Sequence, residues 1–130
     1  MTVGTALRGA SVVAFAATRN AVAVRAFYEG VIGLTLREDT PFALVFDANG
    51  TTLRVQKVQE LAPAAHTVFG WAVPDIRAAV QALAVQGVTF ARYDGLPQDS
   101  LGIWRTPDGG AVAWFHDPDG NTLSLSQSPA

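Results

Sequence analysis

The 130-residue sequence predicts an α+β fold: two tandem βαβββ modules forming a curved mixed sheet around a concave cleft. Three observations predict it. First, Asp119-Gly120-Asn121-Thr122-Leu123-Ser124-Leu125-Ser126 is a second copy of Asn49-Gly50-Thr51-Thr52-Leu53-Arg54-Val55-Gln56, 70 residues downstream. Each copy is a turn dipeptide running into an alternating strand, a strong short-range hairpin signal. Second, two helix caps, Asn20 and Asp75, stand 55 residues apart, and an amphipathic helical face follows each. Third, 49% of the residues are apolar, enough to bury a core at this length. A lone module cannot cover both faces of its sheet, so each half needs its twin or a ligand.

In order along the chain, residues 1–9 read as a short leader and 11–17 as a strand of small and apolar residues. Val24, Phe27, Tyr28 and Val31 recur at helical spacing behind Asn20, and Gly30 and Gly33 end that helix. Residues 34–39 form a short strand, Pro41 turns the chain, and 42–47 and 51–57 pair around Asn49-Gly50. Residues 58–64, with Pro63, form the linker between module 1 (11–57) and module 2 (66–127). The pattern then restarts. Residues 66–73 are a strand, Pro74 marks a helix start, and Ile76, Ala79, Val80 and Leu83 make the buried helical face, with Gly87 at its end. Strands are expected at 88–93, 101–106, 111–116 and 121–126, separated by the loop 94–100 and the turns Pro107-Asp108-Gly109-Gly110 and Asp117-Pro118-Asp119-Gly120.

Composition removes several function classes. Net charge is −2, Lys57 is the only lysine, and the arginines are scattered. That argues against nucleic acid and against an anionic membrane surface as partners. With no cysteine, disulfides, thiolate metal sites and thiol nucleophiles are excluded. No apolar run reaches membrane-spanning length and no signal peptide is visible, so a cytoplasmic protein is expected. No nucleophile elbow and no phosphate-cradling glycine loop is present.

This element order, with Ala26-Phe27-Tyr28-Glu29-Gly30-Val31-Ile32-Gly33-Leu34 and Trp114-Phe115-His116-Asp117-Pro118-Asp119-Gly120-Asn121, resembles the vicinal oxygen chelate superfamily. That group holds glyoxalase I, extradiol dioxygenases, fosfomycin resistance enzymes and bleomycin-binding resistance proteins. The likeness spans residues 11–127 and implies the glyoxalase/bleomycin resistance/extradiol dioxygenase fold. It specifies fold better than activity, because one scaffold hosts several chemistries. In the metal-using members each module supplies one ligand from its first strand and one from its last. The resemblance puts those ligands here at Val13, Arg54, Val68 and Ser124. A divalent ion needs neutral imidazole or carboxylate at such places, and these four side chains do not supply it. The resemblance therefore implies the fold without a metal or other cofactor, and a homodimer in which the cleft is open to sharing between subunits.

Period-2 alternation then assigns faces. Leu53, Val55, Leu123 and Leu125 belong to the core, while Arg54, Gln56, Thr122, Ser124 and Ser126 face the cleft, with Val13 and Phe15 on the first strand. His66 and Val68 are assigned to the cleft, and Phe69, Trp71 and Val73 to the helix side. Trp104, Val112, Trp114 and His116 are assigned to the cleft, with Ile103, Ala113 and Phe115 in the core. The ligand-binding candidates are thus Phe15, Phe42, Trp104 and Trp114 as flat walls, and Arg54, Gln56, His66, His116 and Ser124 as polar groups. An apolar concavity with few oriented polar groups is the usual make-up of a small-molecule site, and flat aromatic walls suit a planar ligand. Singly, a tryptophan more often fills a core or interface position and a histidine a surface or turn position, and Arg54 suits an ordinary ion pair as well as a ligand.

The expected function is metal-free binding of a small aromatic or hydrophobic molecule, of the sequestration or resistance type. Two enzymatic readings stand beside it. One is a metal-dependent lyase, transferase or dioxygenase with a displaced site on His66 and His116. The other is a cofactorless isomerase-like enzyme using either histidine as base. Whether any reaction is catalysed stays open at the level of sequence.

Overall fold

The computed structural model describes residues 4–130; residues 1–3 of the expected leader lie outside the described residues. In order the elements are β1 (Val13–Thr18), α1 (Ala21–Arg25) continued by a π-helical stretch (Ala26–Ile32), β2 (Thr35–Asp39), β3 (Ala43–Ala48), β4 (Thr51–Lys57), β5 (Thr67–Ala72), α2 (Ile76–Val85), β6 (Trp104–Arg105), β7 (Ala111–His116) and β8 (Thr122–Gln127). They form two four-stranded mixed sheets of matching topology, β1-β4-β3-β2 and β5-β8-β7-β6. In each, the first strand of the module pairs parallel with its last, and the remaining pairs are antiparallel. The two sheets approach each other along the edge strands β1 and β5.

The helix ends follow the expected chemistry. The Asn20 side chain accepts from Ala23 N at 3.1 Å and the Asp75 side chain from Ala78 N at 3.1 Å. Pro74 therefore lies one residue before the cap rather than inside the helix. The first helix stops at Gly33, whose φ of 90° is open to glycine without a Cβ penalty. Gly30 does not end it but lies inside the π-helical stretch. A π-helical segment is an uncommon local geometry. Here it is the segment that carries Phe27 and Tyr28.

Those two rings reach the second module. Phe27 lies 6.4 Å from Phe115, and Tyr28 lies 5.7 Å from Phe46 and 6.1 Å from Phe69. One continuous buried cluster joins Val24, Tyr28, Phe46, Leu53 and Val55 of module 1 with Ile76, Val80, Ile103, Phe115 and Leu123 of module 2. The turn Asp117-Pro118-Asp119-Gly120-Asn121 adds a polar clamp. The Tyr28 hydroxyl donates to Asp117 Oδ2 at 2.8 Å, and Asn121 Nδ2 donates to the same oxygen at 2.8 Å and to Ala17 O at 2.9 Å. Asp117 Oδ1 accepts from the backbone N–H groups of Asp119 and Asn121. Arg19 N donates to Asp119 Oδ1 at 2.8 Å. A motif that reads as turn chemistry also fastens module 2 to module 1. Burial, then the charge of Asp117 and its hydrogen bond, push the Tyr28 hydroxyl well above the ordinary phenol range.

Two strand expectations need correction. Residues 88–93 are not a strand. Ala91 N donates to Trp114 O, but Tyr93 N and Ala91 O are taken by the two ends of the Gln98 side-chain amide. A side chain thus satisfies the backbone groups that a ladder would have used. The strand expected at 101–106 shrinks to Trp104–Arg105, because Asp99 and Gln98 engage the backbone of Leu101, Gly102 and Ile103. Module 2 is therefore βαβββ with a long irregular insertion between α2 and β6. Among the described residues no helix is long and apolar enough to cross a membrane.

Candidate functional site

Each sheet buries the face turned toward the helices and leaves the other face more open, although on β3 Ala43 and Val45 of that other face are buried as well. On β4, Leu53 and Val55 are buried while Arg54 and Gln56 are exposed. On β7, Ala113 and Phe115 are buried while Trp114 is half-buried. Alternation of strand side chains sets this division.

The open face of the second sheet carries an aromatic group. The Trp104 and Trp114 rings stack with centroids 6.2 Å apart and planes 27° apart. Tyr93 meets Trp114 edge-on at 5.4 Å. Strand pairing brings the two tryptophans together: Trp104 is opposite Val112, and Trp114 stands two residues further along β7. Ser124 is in register with both Trp114 and Gly70, so its half-buried hydroxyl stands beside the aromatic group. Ile103 is buried at 1% exposure, as the sequence predicts, and Trp71 stacks on Phe115 on the helix side.

The open face of the first sheet carries the other set. Phe15 is in register with Arg54, and Arg54 with Val45; Gln56 stands one row along, opposite Ala17 and Ala43. Phe15 is 49% exposed, too much for a phenyl ring settled in a core. Phe42 stands apart at the β2–β3 turn and is 81% exposed. That turn is well tied. Lys57 N donates to Phe42 O at 2.8 Å, and Lys57 Nζ reaches both Asp39 Oδ1 at 2.6 Å and Thr40 O at 2.7 Å. The lysine holds the Asp39 carboxyl below its ordinary range, with Arg25 adding a smaller pull.

The two histidines do not join either set by contact. His66 is exposed and lies one residue ahead of β5. A bulge between Thr67 and Phe69 breaks the alternation that grouped His66 with Val68, and Thr67, not His66, stands opposite Thr122. Thr122 itself is buried, its hydroxyl donating to Ala64 O in the linker at 3.0 Å. His116 ends β7 and lines a groove of about 590 Å³ together with Phe27, Val31, Phe90 and Arg92. That groove lies against the π-helical stretch and the 86–92 segment. Tyr93 is an aromatic neighbour that the sequence does not reveal, because its local pattern suits the end of a strand at 88–93 and only the loop folded onto Trp114 brings its ring there.

The donor set does not fit a metal. The four positions to which the resemblance assigns metal ligands hold Val13, Arg54, Val68 and Ser124, which together offer one neutral hydroxyl and one permanent positive charge. Among the described residues no three His, Asp or Glu side chains come together in a way that could hold an ion.

Comparison with known proteins agrees with this architecture. The model of the Glyoxalase/Bleomycin resistance protein/Dioxygenase superfamily matches residues 12–125. No curated protein matches the sequence. Among solved structures, a member of that superfamily from Sphaerobacter thermophilus is 22% identical, with a TM-score of 0.70 over 91% of this chain and 98% of that one. A lactoylglutathione lyase from Agrobacterium tumefaciens is 17% identical, with a TM-score of 0.69 over 92% and 96% of the two chains. The genomically encoded fosfomycin resistance protein FosX from Listeria monocytogenes is 12% identical, with a TM-score of 0.70 over 98% and 95%. At such identities the likeness speaks for the fold alone.

Proposed function

We propose, from the premise that this chain belongs to the Glyoxalase/Bleomycin resistance protein/Dioxygenase superfamily, that it is a metal-free binding member of the group. It sequesters a small, planar, largely aromatic or hydrophobic molecule, acts as a homodimer and works in the cytoplasm. The observation that carries the reading is the stacked pair Trp104–Trp114 with Tyr93 on its edge, standing on an open sheet face. Rings held this way offer a flat wall for offset stacking, and Ser124 beside them offers one oriented polar contact. The side chains at 13, 54, 68 and 124 favour binding without an ion over metal-assisted chemistry. Exposed Val13, Phe15 and Phe42 favour a second copy of the chain, which would cover them and turn two open faces into a closed cleft. The separate placement of His66 and His116 gives no support to a displaced metal site.

Native mass spectrometry of protein purified without chelators tests both halves of the reading. The expected spectrum is a dimer free of stoichiometric Zn, Ni, Fe or Mn that retains planar aromatic compounds from a mixed library. A stoichiometric metal, or a monomer that takes up no aromatic compound, would sink it.

A further inference from the structure

We propose that Arg54 is an anion-recognition residue and that the ligand is a planar organic acid, its carboxylate or other oxyanion held by the guanidinium. The inference rests on the open-face binding site above and adds the chemical class of what fills it.

The argument starts from charge. Arg25, Arg37 and Lys57 each have a carboxylate partner within 4.0 Å; Arg19 and Arg54, in the same module, have none among the described residues, and of these two Arg54 is the one on a sheet strand, β4. Its register neighbours are Phe15 on one side and Val45 on the other, and Thr52 and Gln56 flank it on its own strand face. Two carboxylates share that face. Asp47 is already engaged by Arg37 at 3.4 Å and by Gly50 N at 3.0 Å. Glu38 lies opposite Val45, so a whole strand separates it from Arg54, about 10 Å at the usual strand spacing. Among its neighbours Phe15, Val45, Thr52 and Gln56 the guanidinium is thus the only charged group, with Asp47 and Glu38 carrying charge toward the β2 side of the same face.

Water solvates it while the face is open. Once a ligand or a second subunit covers Phe15 and the rows beside it, an unpaired guanidinium would be stripped of water without compensation, which is strongly unfavourable. An occupant that brings negative charge to that place removes this penalty. Guanidinium geometry selects the partner further: its planar fork matches the two oxygens of a carboxylate or phosphonate. Phe15 next to it gives the ring of the same ligand an apolar surface.

Isothermal titration with 2-naphthoate and its neutral isostere 2-naphthamide tests this on the intact protein, with oligomeric state followed by light scattering. The expected result is at least tenfold tighter binding of the acid to the wild type. Arg54→Gln should remove that preference by weakening binding of the acid far more than binding of the amide, and Arg54→Lys should restore part of it. Equal affinity for acid and amide in the wild type would overturn the proposal and leave the aromatic-site reading standing. So would an acid preference that survives Arg54→Gln. Loss of the dimer in Arg54→Gln would show that a carboxylate of the second copy holds the guanidinium, and would overturn the proposal too. If neither probe binds, the underlying reading fails and this one with it.

Discussion

The Tyr28 hydroxyl reaches Asp117 across 89 residues of sequence, and its side chain is fully buried there. Asp117 has no cationic partner among the described residues and is solvated by four donors: this hydroxyl, the Asn121 amide and two backbone N–H groups. Removing one donor leaves a buried carboxylate short of a hydrogen bond, so Tyr28→Phe should cost about 1–3 kcal/mol at pH 7. The cost should depend on pH. In the unfolded chain the phenol titrates near pH 10. In the fold its pKa is raised, mainly by burial and then by Asp117, so it stays protonated above that pH. Between the two values the unfolded state binds fewer protons than the folded state, and stability falls as pH rises, by at most about 1.4 kcal/mol per pH unit. The contribution is complete below pH 10 and is lost above it. Urea unfolding at pH 7 and pH 11 should therefore show the gap between wild type and Tyr28→Phe narrowing at the higher pH; a constant gap would contradict the raised titration. Sequence periodicity places Tyr28 on a buried helical face, but nothing local identifies the partner of its hydroxyl. Asp117 sits in an Asp-Pro-Asp-Gly run whose turn chemistry explains it without any distant contact. The open-face residues were more legible. Arg54 and Gln56 alternate with Leu53 and Val55, and that pattern needs only the pleat of the strand to become a division of faces.

Strand β5 shows what alternation cannot see. Its bulge between Thr67 and Phe69 shifts the register, and Gly70 is left directly against Ser124 of β8. A Cβ at position 70 would collide with the Ser124 hydroxyl and, more seriously, with its backbone carbonyl. Side-chain truncation at 124 cannot relieve the second clash. Gly70→Ala should thus destabilise by about 1–3 kcal/mol, the usual cost of forcing extra volume into a packed site. Ser124→Ala in the same chain should recover little of it. Denaturant midpoints of the two variants and their combination check this, and full recovery in the double variant would place the collision on the hydroxyl alone. Strands built on local alternation between turn residues, such as β4, β7 and β8, could be read from sequence to within a residue or two. The stretch 88–93 could not, since its apolar residues suit a strand and its fate depends on Gln98, a side chain five residues beyond it, taking the backbone groups of Ala91 and Tyr93. His66 was misgrouped for a related reason, because a bulge leaves no mark in composition.

Across the whole molecule, the repeat that announces two modules conceals how tightly they are joined. The copied segments are each local, whereas the seam is made by residues the repeat does not share: Phe27 and Tyr28 against Phe69 and Phe115, and Asn121 on Ala17. The module 2 counterparts of Phe27 and Tyr28, 55 residues on, are Ala82 and Leu83, which can make no such aromatic and hydroxyl bridge. The tie is therefore one-sided, with the helix of module 1 supplying the rings and module 2 receiving them. Because a single buried cluster spans both sheets, neither module keeps a complete core when the other opens, and unfolding should be one cooperative step. The chain carries its own test. All three tryptophans, Trp71, Trp104 and Trp114, belong to module 2, whereas far-ultraviolet circular dichroism reports both sheets and both helices. Fluorescence and dichroism should give superimposable denaturation curves with the same midpoint and slope. A fluorescence transition that separates from the dichroism transition would mean that module 2 opens by itself, and that the Tyr28–Asp117 clamp and the aromatic seam do not couple the two halves.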